Sequence, residues 1–329
     1  MQIGIPGALL YQYYISFWRP FFEELGFQVV ISGNTNKELV NRGVKVSVPE
    51  LCVPVKIFIG HVFELLDKGV DFVFIPRMEA IRRGEFFCPK FMGLPAIMKY
   101  GVPGVKGKLL TCQINARSDD ISNYKHYLPL LDKLDLSIKE LKKAAAFSGE
   151  KWKRFRTINK MGYMSCEANK MVVEGVSGKE LLPKENNNHI KLGLLGYVYN
   201  IYDDFVNMGI TGKLNQMGID FITFDMYEEE LLDQYVAQLS KPLFWTFTNK
   251  LLGAGYQMLQ KKLVDGIIHI TAFGCGPDAF LGRLLELESD RAKIPYMLIR
   301  IDEHTGENHL QTRVEAFIDM LKRRKSKIS

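Results

Sequence analysis

Apolar residues along this chain come in short unbroken runs that alternate with longer stretches of helical period. Residues 2–5 form a brief β-like run and residues 27–32 a strongly β-prone one. Between them, residues 11–25 are amphipathic at helical spacing and stop at Gly26. Residues 53–68 repeat the helical period, with Val53, Val55, Ile57, Phe58, Val62, Leu65 and Leu66 apolar, and stop at Gly69. Residues 71–75, bounded by Pro76, and residues 108–114 are continuous apolar strands. Strands of that kind, alternating with helices, predict a parallel sheet covered on both faces.

The second half repeats the order. Residues 190–195, 219–224, 266–271 and 296–301 read as strands. Residues 199–217 read as largely helical, and a longer helical stretch ends near Val264. The phrase Gly26-Phe27-Gln28-Val29-Val30 resembles Gly218-Ile219-Asp220-Phe221-Ile222, a likeness of architecture and not of duplication. The pattern predicts two Rossmann-like, doubly wound α/β domains with parallel sheets, at 1–122 and 189–306. Residues 123–188 read as a helical insertion, with strong helix formers at 137–147 and a polar linker at 184–189. Residues 307–329 hold an amphipathic helix, with Val314, Phe317, Ile318 and Leu321 on one face, expected to pack back on the first domain.

Composition narrows the class. A chain of 329 residues is long for one core, which favours two domains. With 47% hydrophobic and 24% charged residues, global disorder is excluded. Much of the net charge of +6 lies in two short runs, 151–156 and 322–325, which read as solvated helix faces, so no nucleic-acid partner is expected. No stretch is apolar enough to span a bilayer. The opening Met1-Gln2-Ile3-Gly4-Ile5-Pro6 lacks signal-peptide features, so a cytoplasmic protein with reduced cysteines is expected. Five widely spaced cysteines are a poor disulfide framework.

Ligands of doubly wound sheets bind beyond the carboxyl ends of the strands. Three cysteines fall where that rule looks. Cys275 lies four residues past Thr271, in Gly274-Cys275-Gly276-Pro277-Asp278. Pro277 suits a first helical turn, whose dipole favours a thiolate. Cys88 follows the third strand, and Cys52 precedes the helix that begins near Val53. Each stands beside Pro or Gly at a predicted loop–helix junction. Two readings stay open: three buried small hydrophobes in turns, or one shared ligand set. No Cys-x-x-Cys pair suggests zinc, and no compact run suggests a ferredoxin. Three distant thiolates suit a cluster at a domain interface and would leave one iron without a cysteine. Cys112 in a strand and Cys166 in a helical stretch read as packing. Dinucleotide, P-loop, nucleophile-elbow and zincin motifs do not occur. Asp302-Glu303-His304-Thr305-Gly306-Glu307 follows the last strand and could transfer protons or cap the next helix. Lys56 and Lys90 could balance anionic sulfur, bind an acidic substrate or face solvent. His61 and His269 read as structural.

Several of these phrases are familiar. Cys52-Val53-Pro54-Val55-Lys56, Phe87-Cys88-Pro89-Lys90, Cys275-Gly276-Pro277-Asp278 and Glu303-His304-Thr305-Gly306-Glu307 resemble one superfamily. It comprises the 2-hydroxyacyl-CoA dehydratase subunits, the benzoyl-CoA reductase subunits and the related domain of CoA-substrate-specific enzyme activases. Ile3-Gly4-Ile5-Pro6 with Phe17-Trp18-Arg19-Pro20-Phe21-Phe22 resembles the last group most closely. The resemblance implies paired Rossmann-like domains and a 4Fe–4S cluster held by Cys52, Cys88 and Cys275. It implies low-potential electrons from an ATP-dependent activator, an actin-like ATPase iron–sulfur protein. In such dehydratases one electron makes a ketyl radical from an acyl-CoA thioester. Glu303 and His304 would be acid–base groups or lie just behind the ligands. A homodimer, or a heterodimer with a paralogous subunit, is also implied. A double-cubane cluster needs more ligands than Cys112 and Cys166 could add, so a single cluster is expected. The ATPase domain fused to some relatives does not occur in these residues, so ATP hydrolysis by this chain is not expected. Two other classes remain: a non-catalytic electron-transfer or scaffold subunit, and a cluster-free small-molecule binder in the interdomain cleft.

Overall fold

The computed structural model of the chain describes residues 1–176, 181–184, 190–303, 305 and 307–327, without the side chains of 307 and 308. Most of the expected linker, at 185–189, and His304 lie outside the described residues. The protein is mixed α/β and divides into two units, each with its own four-stranded parallel sheet. The first unit comprises Met1–Ile158, Ser165–Leu181 and Phe244–Thr246; the second comprises Asn159–Met164, Leu182–Leu243 and Phe247–Ser329. Among the described residues no helix is long and apolar enough to cross a membrane.

The first unit runs β1 (Gln2–Ile5), α1 (Tyr11–Glu24), β2 (Gln28–Ile31), α2 (Lys37–Val46), α3 (Val53–Asp67), β3 (Phe72–Phe74) and β4 (Arg77–Ala80). Then come α4 (Pro89–Met92), α5 (Leu94–Gly101), β5 (Leu109–Leu110) and β6 (Gln113–Asn115). The sheet order is β2-β1-β3-β5, all parallel. The strand bounded by Pro76 ends at Phe74, and a second strand, β4, begins just past the proline in a separate two-stranded sheet with β6. Ile75 N donates to Leu110 O and Arg77 N to Cys112 O, both at 2.8 Å, so pairing continues into β4 and β6. Proline has no N–H to give. Pro76 sits between the two donors, where an alternate residue turns its N–H away from that neighbour. The single strand expected at 108–114 is therefore two short ones.

A 3-10 turn (Tyr124–Leu130), α6 (Leu131–Leu134), α7 (Ile138–Lys160) and α8 (Ser165–Val173) follow. Half of the basic run on α7 is core and not solvated face. Trp152 Nε1 donates to Tyr13 O at 3.0 Å, and the Arg156 guanidinium lies 5.1 Å over the Tyr13 ring. Both residues are buried. The reason is the ring cluster on α1: Tyr13 and Tyr14 pack edge to face at 5.0 Å, and Trp152 stacks on Tyr14 at 5.8 Å. A cation over a desolvated aromatic face is stabilised there without water.

The second unit runs β7 (Lys191–Leu195), α9 (Val198–Ile201), α10 (Ile210–Gln216), β8 (Asp220–Ile222), α11 (Glu229–Val236) and α12 (Thr246–Gln260). It closes with β9 (Gly266–Ala272), α13 (Gly276–Ala292), β10 (Tyr296–Ile301) and α14 (Glu307–Ser326). The order β10-β9-β7-β8 is again parallel and matches the first sheet: second strand, first, third, fourth. Every residue of β9 is buried, the polar His269 and Thr271 included. The helix expected at 199–217 is broken, because Met208 (φ 55°) and Gly209 (φ 69°) enter the left-handed region. The contacts described for α14 are with its own unit. Lys325 pairs with Asp265 at 2.9 Å, and a Cβ on Gly266 would stand 2.9 Å from Leu321.

Two features fix the chain that leads into Cys52. Helices α2 and α3 touch through glycines: a Cβ on Gly43 would lie 1.9 Å from Lys56 O, and one on Gly60 2.2 Å from Leu39 O. His61, fully buried on α3, ties that helix to the loop after β2. Ser32 Oγ stands 2.8 Å from its Nδ1 and Thr35 Oγ1 2.9 Å from its Nε2. Gly7 N donates to Ser32 Oγ at 2.7 Å, so the same hydroxyl also holds the turn after β1. Burial lowers the His61 pKa to about 4.

Two predictions follow from these contacts. Gly60→Ala should cost about 2–3 kcal/mol of unfolding free energy in urea, because neither backbone can retreat; a loss below the measurement error would show that the helices slide apart. The neutral His61 should make stability depend on acid. The folded state takes up the proton later than the unfolded chain, so stability is whole above pH 6.5 and falls as pH drops toward 4, by about 3 kcal/mol in all. Denaturation of His61→Gln should lose that slope, and an unchanged slope would place the titration elsewhere.

Candidate metal centre

All five cysteines are thiols. Cys52, Cys88 and Cys275 share one local structure: each is the N-cap of a helix with proline in its first turn. Cys52 caps α3 with Pro54, Cys88 caps α4 with Pro89, and Cys275 caps α13 with Pro277. All three are half-buried and extended in backbone. An N-cap residue usually offers a side-chain oxygen to the N–H groups of the first turn. None of the three side chains makes such a cap bond. Proline at the first or second helical position deletes one of the orphan donors, so the cap tolerates a weak acceptor.

Cys52 and Cys88 are electrostatic neighbours within the first unit. Burial raises both thiols above the ordinary cysteine value. Against it, the Val55 N–H favours the Cys52 thiolate, as do those of Phe91 and Lys90 for Cys88. The Lys90 ammonium pulls both down, and Lys56 pulls Cys52 down. Lys90 is anchored by donating to Glu50 O at 2.8 Å, and Lys56 is buried. The Cys52 thiolate raises Cys88 further, so two thiolates here call for a cation.

The extended segment leading to Cys88 is clamped by residues the sequence pattern does not flag. Phe86 N donates to Phe244 O at 2.9 Å, and Thr246 N donates to Phe86 O at 3.0 Å. The Phe86 and Phe244 rings stack at 5.0 Å. The only signal in the sequence is an aromatic pair, Phe244-Trp245, just before α12.

Cys275 belongs to the second unit. It closes a tight turn after β9, where Cys275 N donates to Ala272 O at 3.1 Å and Gly274 takes φ 78°. Behind it lies a polar chain. Tyr296 OH stands 2.7 Å from His269 Nδ1, and His269 Nε2 stands 2.9 Å from Asp278 Oδ1. His269 is structural in the sense of being fully buried, yet its partners reach the third residue of the helix that Cys275 caps. One imidazole inside the apolar run Ile267-Ile268-His269-Ile270 was the available signal.

The remaining candidates scatter. Glu303 is half-buried just past β10, where Asp302 N donates to Thr305 Oγ1 at 2.9 Å. Cys112 is buried, and burial alone drives its pKa far up, so it is an inert packing residue. Cys166 lines a cavity of about 550 Å3 in the first unit with Tyr11, Arg19 and Lys151. Among the described residues no group of three or more His, Cys, Asp or Glu side chains is assembled to hold a metal ion. Cys52 and Cys88 supply two soft donors, with first-turn N–H groups and two lysines to stabilise anionic sulfur. That donor chemistry fits an iron–sulfur group and does not fit a hard cation.

Residues 2–227 match the family model described as the CoA enzyme activase uncharacterised domain. The chain belongs to this family. Residues 211–321 match the model of the 2-hydroxyglutaryl-CoA dehydratase D-component. No curated protein matches the chain. Cys52 and Cys88 of this activase-domain protein fall within the first match, and Cys275, His269, Asp278 and Glu303 within the second.

The lysines give a direct check. Lys90→Met removes the largest charge that opposes burial at Cys52. Alkylation of Cys52 by iodoacetamide at fixed pH, read by peptide mass spectrometry on metal-free protein, should slow by roughly 2–10-fold, the scale of a partly screened pair. Equal rates would show that Lys90 does not act on Cys52.

Proposed function

We propose that this chain is an iron–sulfur subunit of the 2-hydroxyacyl-CoA dehydratase type. The observation behind the reading is the shared N-cap structure of Cys52, Cys88 and Cys275, three of the chain's five cysteines. In this reading two Rossmann-like domains, 1–122 and 189–306, present them, and all three bind one 4Fe–4S cluster. Such a cluster, when bound, supplies one-electron chemistry and an iron that no cysteine occupies. The electron donor is an ATP-dependent activator, and the substrate is an acyl-CoA-like thioester. The protein works in the cytoplasm, as a homodimer or beside a paralogous subunit.

The chain's own residues have definable tasks in this scheme. Lys56 and Lys90 balance the charge of two thiolates in a half-buried site, where sulfur anions would otherwise repel. The clamp at Phe244–Thr246 holds the segment that leads into Cys88. Glu303, past the last strand of the second sheet, holds or accepts a proton. His304 is assigned the same role from its sequence position.

Iron and acid-labile sulfide should both be present in anaerobically purified protein, with a brown colour and a broad visible band. Cys88→Ala should lose most of the iron. A colourless wild-type protein that cannot be reconstituted overturns the reading. Turnover of an acyl-CoA with reduced activator separates an enzyme from an electron carrier: a cluster that reduces normally and turns over no thioester marks the carrier.

A further inference from the structure

The first unit holds a cavity that the cysteine-capped helices do not use. Helices α1, α7 and α8 and the end of β2 enclose about 550 Å3, a volume in the range of small-molecule sites. Its floor is fixed by two buried side chains. Ser16 Oγ donates to Asn169 Oδ1 at 2.6 Å, and Asn169 Nδ2 donates to Gln12 O at 2.7 Å. These bonds tie α8 to α1, so the space is built before anything enters it. They also satisfy the hydroxyl and amide of the floor. What remains for a guest is an apolar wall of Ile15, Ile31 and Val172. Phe147 and Val173 line the same space and are 43% and 65% exposed, so a guest would take them out of water.

The rim carries one cation more than its acids balance. Arg19 pairs with Glu23 at 2.8 Å and Lys170 with Glu174 at 3.8 Å, each across one turn of its own helix. Glu23 and Glu174 are the two acids that line the cavity among the described residues. Lys151 also lines it and has no acidic partner among those residues. Its ammonium lies 5.4 Å over the ring of Phe147, one turn away on α7. Cation and ring mark a place where an anion can sit with an apolar body beside it. Tyr11, the first residue of α1, adds a hydroxyl to the lining. Burial raises this phenol more than Arg19 lowers it, so it is a donor at neutral pH. A ligand with one negative charge completes the balance. A second charge would find only cations that are already paired.

We propose that this cavity binds an aliphatic carboxylate, its apolar tail along Ile15, Ile31 and Val172 and its carboxylate at the Lys151 ammonium. The tail leaves water on entry, which supplies most of the affinity. The charge at Lys151 sets which head group is accepted, with Tyr11 as a further donor in the same space. The half-buried thiol of Cys166 lines the cavity too and reports on its occupancy. Binding makes and breaks no covalent bond. All these residues belong to the first unit, so the site stands or falls apart from the cluster reading.

The test is titration calorimetry of the full chain, reduced and metal-free, with decanoate and with the neutral alcohol decanol. Decanoate should bind saturably. At saturation it should slow alkylation of Cys166 by iodoacetamide at least about fivefold, read by peptide mass spectrometry, and leave Cys52 and Cys88 at their free rates. Lys151→Gln, a change at the rim that spares the core, should weaken decanoate by roughly 3–10-fold and leave decanol as it was. A decanoate that does not bind, or that binds without protecting Cys166, overturns the proposal. So does a Lys151→Gln protein that holds decanoate as tightly as wild type, or one that loses decanoate and decanol equally.

Discussion

A helix N-terminus leaves backbone N–H groups without partners, and something must face them. In this protein three helices meet that need with a cysteine and a proline. Proline removes one donor. At Cys52 and Cys88 first-turn N–H groups favour the thiolate, while burial outweighs them and holds both sulfurs as thiols. A serine or aspartate there would complete the cap and spend its acceptor on it. A cysteine leaves a soft donor partly engaged and available. The rest of the site depends on that compromise: the lysines that balance the charge, the glycine contacts that seat α3, and the aromatic clamp that seats the segment before Cys88.

The placement of the cysteines follows from the sheets. Parallel strands all end at one edge, and each crossover helix starts there. Cys275 begins the helix after β9 within four residues of the strand end. Cys88 and Cys52 begin helices that follow β4 and the β2 connection. The lone histidine of β9 turns the same logic inward. Its neighbours on the next strand and on α13 complete a polar chain across one face of the sheet, under the turn that holds Cys275.

Much of this was legible in the sequence for physical reasons. The unbroken run Gly266–Ala272 could only be a central strand, and Gly26 and Gly69 marked the ends of α1 and α3. The cysteine–proline phrases announced both the helix starts and the family. What was not legible depended on tertiary context. Pro76 marked the end of β3 correctly, yet the new strand β4 beyond it was not legible, because its pairing with β6 is a long-range contact. Arg156 looked solvated, because its partner Tyr13 is far away in the chain. Phe244–Thr246 fell inside a stretch read as helical, because its pairing with Phe86 is a long-range contact. Asp278 stood inside a recognised phrase, yet the phrase alone did not announce its bond to His269.

The central claim is that Cys52, Cys88 and Cys275 act as one ligand set while Cys112 and Cys166 do not. Cysteine-resolved alkylation, compared between anaerobically iron-loaded and chelator-stripped protein, tests it directly. The account requires Cys52, Cys88 and Cys275 to be protected together by loading, with Cys166 labelled at the same rate in both. Equal labelling of Cys275 in the two forms would contradict it.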